Sequence, residues 1–158
     1  MTLLQLLQQK LALLKQLLIL TSMKTLLQVC EEHLGIDVTP SDLIPDTVAC
    51  ADTITTLIRN VDKTFPLVSG TWTLYDILEH RKDWKRVTEP SPETLILSPT
   101  GMGGSSMIGH VGIFLKDGVI ASNDSTTGKF MVNYTLDSWT KRYKKQGGLP
   151  IFLYKRVV

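Results

Sequence analysis

The sequence predicts an α+β domain in which helices come first and an antiparallel sheet follows. In the first half of the chain, apolar residues recur at three- and four-residue spacing, which is typical of amphipathic helices. In the second half, short apolar runs are separated by turn residues, which indicates β-strands. The 158 residues are enough to bury the core of one domain.

The first element is a leucine-rich amphipathic helix over residues 1–20. Its glutamines fall close to one face of a helical wheel. The opposite face carries Leu3, Leu4, Leu7, Leu11, Leu14 and Leu18. Polar residues interrupt the apolar run too often for a membrane span, and neither a basic start nor a small-residue cleavage site indicates a cleavable signal peptide. We expect this helix to pack on its own domain or a second copy, or to contact a partner or a membrane surface; a signal anchor is the remaining alternative.

Residues 21–158 follow as one domain of catalytic size. SMKTLLQVCEEHLG predicts a short helix that Gly35 ends, and IDVTPSDLIP predicts an ordered loop. Asp46 is expected to cap the helix TVACADTITTLIRNV, and TLYDILEH predicts a further short helix. The charged run EHRKDWKR is interpreted as a solvated face.

The strands are predicted from short apolar runs in the second half. They are ETLILSP, the two halves of HVGIFLKDGVIASN around Asp117-Gly118, KFMVNYTL and the final IFLYKRVV. A helical turn is expected over residues 137–143.

Composition excludes several classes of protein. The chain has 17 Lys and Arg against 15 Asp and Glu, and this net charge of +2 is too balanced to indicate nucleic-acid binding. Two cysteines cannot form a disulfide framework, and no paired CxxC or HExxH spacing supports a zinc site. We therefore expect neither a metal nor a cofactor.

Cys50 is a candidate nucleophile because it falls in the first turns of the helix that Asp46 would open. Unpaired N–H groups give a helix N-terminus a partial positive charge, which stabilises a thiolate. The alternative is a small buried hydrophobic residue on an amphipathic helix. Cys30 lies in mid-helix beside Glu31 and Glu32, so a structural role is predicted for it.

His110 is the candidate partner of Cys50, since a thiolate nucleophile needs a nearby imidazole. It begins the strand HVGIFL directly after the glycine-rich PTGMGGSSMIG. His33 falls on an amphipathic helix and His80 in the charged run, so neither is favoured. The alternative for His110 is a half-buried strand histidine.

The chain resembles the NlpC-type cysteine peptidases of bacterial cell walls, including CHAP-like and bacteriophage-associated relatives. Four segments carry the resemblance: PDTVACADTI, PSPETLILSPTG, GHVGIFLKDGVIASNDSTTG and LDSWTKRY. The resemblance covers roughly residues 40–155 and leaves the leucine-rich helix outside. It implies a papain-like fold, in which a helix bearing Cys50 packs on an antiparallel sheet bearing His110. Two departures are Ala51, where the family usually has serine, and the lack of the family's second histidine after the hairpin.

The third catalytic residue depends on the register of the hairpin. A two-residue turn at Asp117-Gly118 pairs Gly112 with Asn123 and brings Asn123 near His110. A three-residue loop with a bulge pairs Gly112 with Ser122 instead, which ungapped comparison with the family also favours. We predict Asn123, because its amide oxygen holds an imidazole N–H while remaining neutral, with Ser122 as the alternative.

These residues predict a cysteine hydrolase that cleaves amide bonds, and the resemblance implies peptides of peptidoglycan as the substrate. The alternatives are an acyltransferase or deamidase toxin on the same fold, and a non-catalytic binding module. Trp72, Tyr75 and Trp84 are candidates for stacking on substrate, with burial in the core as the other interpretation. Localisation stays open: release from a lysing cell, carriage in a virion and non-standard export all fit.

Overall fold

The computed structural model describes residues 1–39, 44–45 and 48–157, and within them the domain is α+β as predicted. The described part contains five α-helices and one six-stranded antiparallel sheet. The helices are α1 (Leu3–Ser22), α2 (Leu26–His33), α3 (Cys50–Arg59), α4 (Thr71–His80) and α5 (Leu136–Trp139), the last continuing into a π-helical segment, Thr140–Gln146.

All neighbouring strands of the sheet run antiparallel, in the order β1-β6-β2-β3-β4-β5. The strands are β1 (Trp84–Arg86), β2 (Leu95–Ser98), β3 (His110–Phe114), β4 (Val119–Asn123), β5 (Phe130–Thr135) and β6 (Phe152–Arg156). Strand β6 lies between β1 and β2 and pairs with both of them.

Local sequence accounts for where the first two helices begin. Thr2 and Gln5 form a reciprocal capping box at the start of α1, and Thr25 and Gln28 form another at the start of α2. Each box satisfies two backbone N–H groups that the helix itself leaves unpaired.

The central strands β2, β3 and β4 are buried on both faces of the sheet. One face packs against α3, whose apolar side chains include the fully buried Ile54 and Ile58. On the other face, Trp139 and Tyr143 from α5 and the π-helical segment cover Ile96 and Ile120. Alternate residues of β2, β3 and β4 therefore enter different cores, because side chains on a strand alternate between its two faces.

The run EHRKDWKR is mostly exposed or half-buried, as the interpretation as a solvated face predicts, and Trp84 is the exception. Trp84 is the first residue of strand β1. Its side chain is 2% exposed and packs edge-on against Phe65. Arg81 beside it binds Asp62 and Asp83 rather than solvent alone. The charged side chains of the run therefore lie at the surface, while Trp84 enters the core beside them.

Helix α1 has no buried side chain at all. Its length and its mean hydropathy of 1.2 suffice, by themselves, for a helix that crosses a membrane. This finding runs against the expectation that the interrupting glutamines and lysines rule out a span. Core helices and signal sequences satisfy the same criterion, so length and composition alone do not assign α1 to a membrane.

Candidate active site

Cys50 is the first residue of α3, which confirms its predicted position at a helix start. The residue before it, Ala49, occupies the N-cap position and offers no side-chain hydrogen bond to the helix. The predicted cap, Asp46, lies outside the described residues. The neighbours Ala49 and Ala51 are small and fully buried, and Cys50 itself is only 7% exposed.

His110 is the first residue of β3, as predicted, and pairs with Ser98 on β2. The preceding residue, Gly109, anchors this strand start, since its N–H donates to Thr100 Oγ1 at 2.8 Å. Thr100 N–H in turn donates to Thr71 Oγ1 on α4 at 2.9 Å. The glycine-rich loop before His110 is thereby tied to α4 at its base.

Aromatic side chains fix the plane of the His110 ring. It stacks on Trp139 at a centroid distance of 5.3 Å and on Tyr143 at 5.6 Å, with interplanar angles of 25° and 19°. Tyr134 meets the same ring edge-on at 5.8 Å. The indole N–H of Trp139 donates to Ser98 Oγ at 3.1 Å, which holds this wall of the site to β2.

A chain of hydrogen bonds runs from His110 across β4 to β5. His110 Nε2 lies 2.8 Å from Ser122 Oγ, and the Ser122 hydroxyl donates to Asn133 Oδ1 at 2.7 Å. A hydroxyl has one proton, and Ser122 gives it to Asn133, so Ser122 accepts its bond from His110 Nε2–H. Nδ1 then carries the lone pair that can take up a proton.

The structure thus places Ser122, the alternative, against His110 where we predicted Asn123. The hairpin loop is Lys116-Asp117-Gly118, with Asp117 and Gly118 both at positive φ, so it has three residues and not two. Leu115 N–H donates to Val119 O, and Ile113 pairs with Ala121. When this register is continued along the hairpin, Ser122 lies opposite Gly112 and on the same face of the sheet as His110. This is the register predicted for a three-residue loop.

Asn133 is a site residue that the sequence analysis missed. The β4–β5 register pairs Ile120 with Tyr134 but Ala121 with Val132, so Asn133 is the extra residue of a β-bulge. A bulge re-aims a side chain, and here it brings the Asn133 amide to Ser122. The only sequence signal was a polar residue within the strand KFMVNYTL, and bulges leave no reliable pattern in a single sequence.

Cys50 and His110 line one open cavity of about 610 Å³. The other walls include Asn123, Asp124, Asn133, Tyr134, Arg142 and Tyr143. Asn123 is buried, pairs with Phe130 on β5 and contributes to the same cavity. Among the described residues no hydrogen bond joins the Cys50 thiol to the His110 ring, and backbone groups, first that of Val111, favour the thiolate instead.

Burial reverses the expectation that the helix start holds Cys50 as a thiolate. Desolvation raises the pKa of the Cys50 thiol to about 11, despite the backbone hydrogen bonds that favour the thiolate. Burial, together with the positive charge of Arg142, lowers the pKa of His110 to about 4, and Asp124 opposes that shift. The resting pair at neutral pH is therefore a thiol and a neutral imidazole.

This shift makes the stability of the fold sensitive to acid. The His110 pKa lies below its ordinary 6.5, so the unfolded chain binds the proton more tightly, and the stabilisation present above pH 6.5 is lost as the pH falls towards 4. We expect His110→Gln to remove up to about 3 kcal/mol of this pH dependence of the unfolding free energy. Urea unfolding of the wild type and of His110→Gln at a series of pH values measures this difference. If the unfolding free energies of the two proteins change in parallel between pH 4 and 6.5, the burial of a neutral imidazole is contradicted.

The aromatic residues considered for stacking on substrate separate into two groups. Trp84 is in the core, whereas Trp72 is 53% exposed and contacts Tyr75 at a centroid distance of 5.6 Å. Neither Trp72 nor Tyr75 lines the cavity of Cys50. Cys30 is fully buried, and burial raises the pKa of its thiol to about 12, in keeping with the structural role predicted for it.

A scan against protein-family models and a search of curated proteins give no match to this chain.

Proposed function

We propose that this chain is a papain-like cysteine hydrolase that cleaves amide bonds in peptidoglycan peptides. One observation carries the proposal: Cys50 at a helix start and His110 at a strand start line one cavity, and His110 is oriented by Ser122. The packing of α3 on β3 and β4 supports the papain-like arrangement. The choice of peptidoglycan rests on the sequence resemblance to NlpC-type peptidases.

Because the resting pair is a thiol and a neutral imidazole, the proposed attack requires that the imidazole take the thiol proton as the nucleophile attacks, which is general-base catalysis. His110 Nδ1 takes the thiol proton as Cys50 Sγ bonds to the carbonyl carbon, which gives a tetrahedral oxyanion. The backbone N–H of Cys50, in the first turn of α3, is suited to stabilise that oxyanion. His110 then gives the proton to the departing amine, which leaves a thioester that water hydrolyses with His110 as the base.

Substrate binding is expected to bring the Cys50 thiol into hydrogen-bond contact with the His110 imidazole. In unliganded enzymes, catalytic hydrogen bonds are often long and tighten when substrate excludes water. His110 is only partly exposed, and its ring is held by Trp139, Tyr143 and Ser122, so the shorter side chain of Cys50 supplies the adjustment.

Ser122→Ala tests how His110 is oriented. The variant removes the acceptor for Nε2–H, so we expect kcat to fall roughly tenfold to a hundredfold while the base itself remains. Asn123→Ala is the matched control, because the next residue of β4 lines the same cavity, whereas the described hydrogen bond to His110 Nε2 is made by Ser122. A larger loss in Asn123→Ala than in Ser122→Ala would restore Asn123 as the orienting residue.

Digestion of purified peptidoglycan tests the function itself. Mass spectrometry of the soluble products should show that a single type of amide bond has been cleaved, with one new free amine and one new free carboxyl group for each cleavage. The His110→Ala variant should give no such products. Labelling of Cys50 by iodoacetamide without any change in the muropeptide profile would point instead to the transferase or deamidase class.

A non-catalytic binding module is the second candidate, and the raised pKa of the Cys50 thiol favours it. The rate of alkylation by iodoacetamide at pH 7.5 distinguishes the two. A catalytic base accelerates the loss of the thiol proton, so a hydrolase should react about tenfold or more faster than its His110→Ala variant. Equal rates would favour the binding module.

A further inference from the structure

The cavity of the candidate active site contains an arginine that no carboxylate of the described chain binds. Arg142 lines this cavity from the π-helical segment that follows α5. Arg81 and Arg86 each form an ion pair with a carboxylate of the chain. In the part of the chain that the structure describes, no ion pair includes Arg142. Because an arginine keeps its charge throughout the pH range of enzymes, this guanidinium places a permanent positive charge in the cavity.

Asp124 is the one acidic residue among the described residues that line the cavity, and its carboxylate is engaged elsewhere. Its Oδ1 accepts the backbone N–H of Thr126 at 2.8 Å and that of Thr127 at 3.1 Å. These two bonds hold the carboxylate in the turn that follows β4. The described residues therefore supply no anion in contact with Arg142.

Two tyrosines beside the guanidinium add a hydrogen-bond donor. Arg142 Cζ lies 5.7 Å from the centre of the Tyr143 ring, and proximity to the Tyr143 hydroxyl raises the pKa of the guanidinium further. Tyr143 Oη lies 3.2 Å from Tyr134 Oη, and both tyrosines line the cavity. In such a pair one hydroxyl donates to the other, so one phenolic proton remains for a further acceptor. A guanidinium and a phenol O–H together suit an anion with two oxygens.

The guanidinium is close enough to the candidate catalytic pair to contact the same substrate. The Tyr143 ring that contacts Arg142 also stacks on His110 at a centroid distance of 5.6 Å. After burial, the positive charge of Arg142 is the largest cause that lowers the pKa of His110. A group that binds to Arg142 therefore belongs to the part of the substrate near the bond under attack.

Further positive charge borders the cavity. The segment Thr140–Gln146 contains Lys141, Lys144 and Lys145 besides Arg142, all of them exposed, and it contains no acidic residue. Positive charge beside a cavity raises the local concentration of anionic ligands. The three lysines do not line the cavity, so they attract an anion that Arg142 then contacts.

We propose that Arg142 binds a free carboxylate of the substrate, on a residue next to the amide bond that Cys50 attacks, with a hydroxyl of the Tyr134–Tyr143 pair as a further donor. This inference rests on the proposed hydrolase function, because carboxylates are the anionic groups that a peptide substrate brings. The planar guanidinium donates two parallel N–H bonds to the two oxygens of a carboxylate, whereas a carboxamide has only one accepting oxygen. Arg142 is thus a specificity-determining residue that distinguishes a free carboxylate from its amidated form.

Chemical amidation of the substrate tests the proposal. Carbodiimide and excess ammonia convert the carboxylates of purified peptidoglycan to carboxamides and leave its amide bonds intact. We expect the wild type to release products from untreated peptidoglycan about tenfold or more faster than from amidated material, since a charged hydrogen-bond partner is replaced by a neutral one. Arg142→Gln should lower the rate on untreated peptidoglycan by a similar factor and abolish the preference. Because Arg142 is exposed, unchanged thermal unfolding should show that the variant folds.

Lys144→Gln is the matched control. It removes one positive charge from the same segment, but Lys144 does not line the cavity. Its preference for untreated peptidoglycan should stay within about threefold of that of the wild type, because the lysine contributes only long-range attraction.

The outcomes separate this inference from the function on which it rests. If the wild type cleaves both materials equally, or if Arg142→Gln keeps the preference, the carboxylate site is overturned while the hydrolase stands. Loss of the preference in Lys144→Gln as complete as in Arg142→Gln would also overturn the site. If the wild type cleaves neither material, the hydrolase fails, and co-sedimentation with the two materials decides on the site. Stronger binding of the wild type to untreated peptidoglycan, with no such difference in Arg142→Gln, would support the carboxylate site, and equal binding would overturn it.

Discussion

Cys50→Ala is expected to abolish amide hydrolysis, with turnover reduced at least about a thousandfold. The thiol forms the covalent bond in the proposed reaction, so its removal leaves only binding and the oxyanion donors. Product release from purified peptidoglycan, followed by mass spectrometry, measures the loss. Cys50 is 7% exposed, so its replacement by alanine leaves a small cavity and should cost about 1 kcal/mol, which still leaves the variant folded.

Cys30→Ala is the control for this prediction. Cys30 is the other free cysteine of the chain and is fully buried in the helix before α3. Its replacement leaves a small cavity and should lower stability by about 1 kcal/mol without lowering turnover. If Cys50→Ala kept its activity and Cys30→Ala lost it, the nucleophile would not be Cys50, and the proposed mechanism would be overturned.

Gly109→Ala is expected to cause the largest loss of stability, about 3–5 kcal/mol. A β-carbon at this position would lie 2.1 Å from Ser98 O and 2.4 Å from Thr100 N. Both are backbone atoms, so the strands themselves must separate to admit the methyl group. The start of β3 would move, and with it His110, so the folded fraction should also lose activity.

Gly70→Ala is the matched control for the crowding at Gly109. The nearest atom to its added β-carbon is Thr73 Oγ1 at 3.9 Å, and its φ of −132° suits any residue. Its cost should stay below about 1 kcal/mol, the ordinary effect of alanine at an N-cap. Urea unfolding of both variants measures the difference, and a Gly109→Ala variant as stable as Gly70→Ala would mean that the close backbone approach does not exist in solution.

Much of the fold follows from periodicity that a single sequence displays. Apolar spacing predicts α1 and α2, and short apolar runs predict β2 to β6. The short strand β1 was missed because Trp84 stands among charged residues, and only Phe65 and its ion-paired surroundings make it a core position. Local charge outweighed the one apolar residue in the pattern.

The candidate site divides in the same way. The helix start of Cys50 and the strand start of His110 follow from local signals, whereas their shared cavity depends on how α3 packs on the sheet. Choosing Ser122 over Asn123 required the register, because Asp117 and Gly118 suit both a two-residue and a three-residue loop. Asn133 required the bulge that turns it towards Ser122.

The sequence by itself determined the order of the elements other than β1, the amphipathic character of α1 and the candidate pair Cys50 and His110. Those properties reside in residue types and their spacing along the chain. Tertiary structure alone decided the protonation states, because the desolvation that raises the pKa of Cys50 and lowers that of His110 comes from residues distant in sequence. It also decided that the leucine face of α1 stays uncovered, since periodicity marks an apolar face but does not say what covers it.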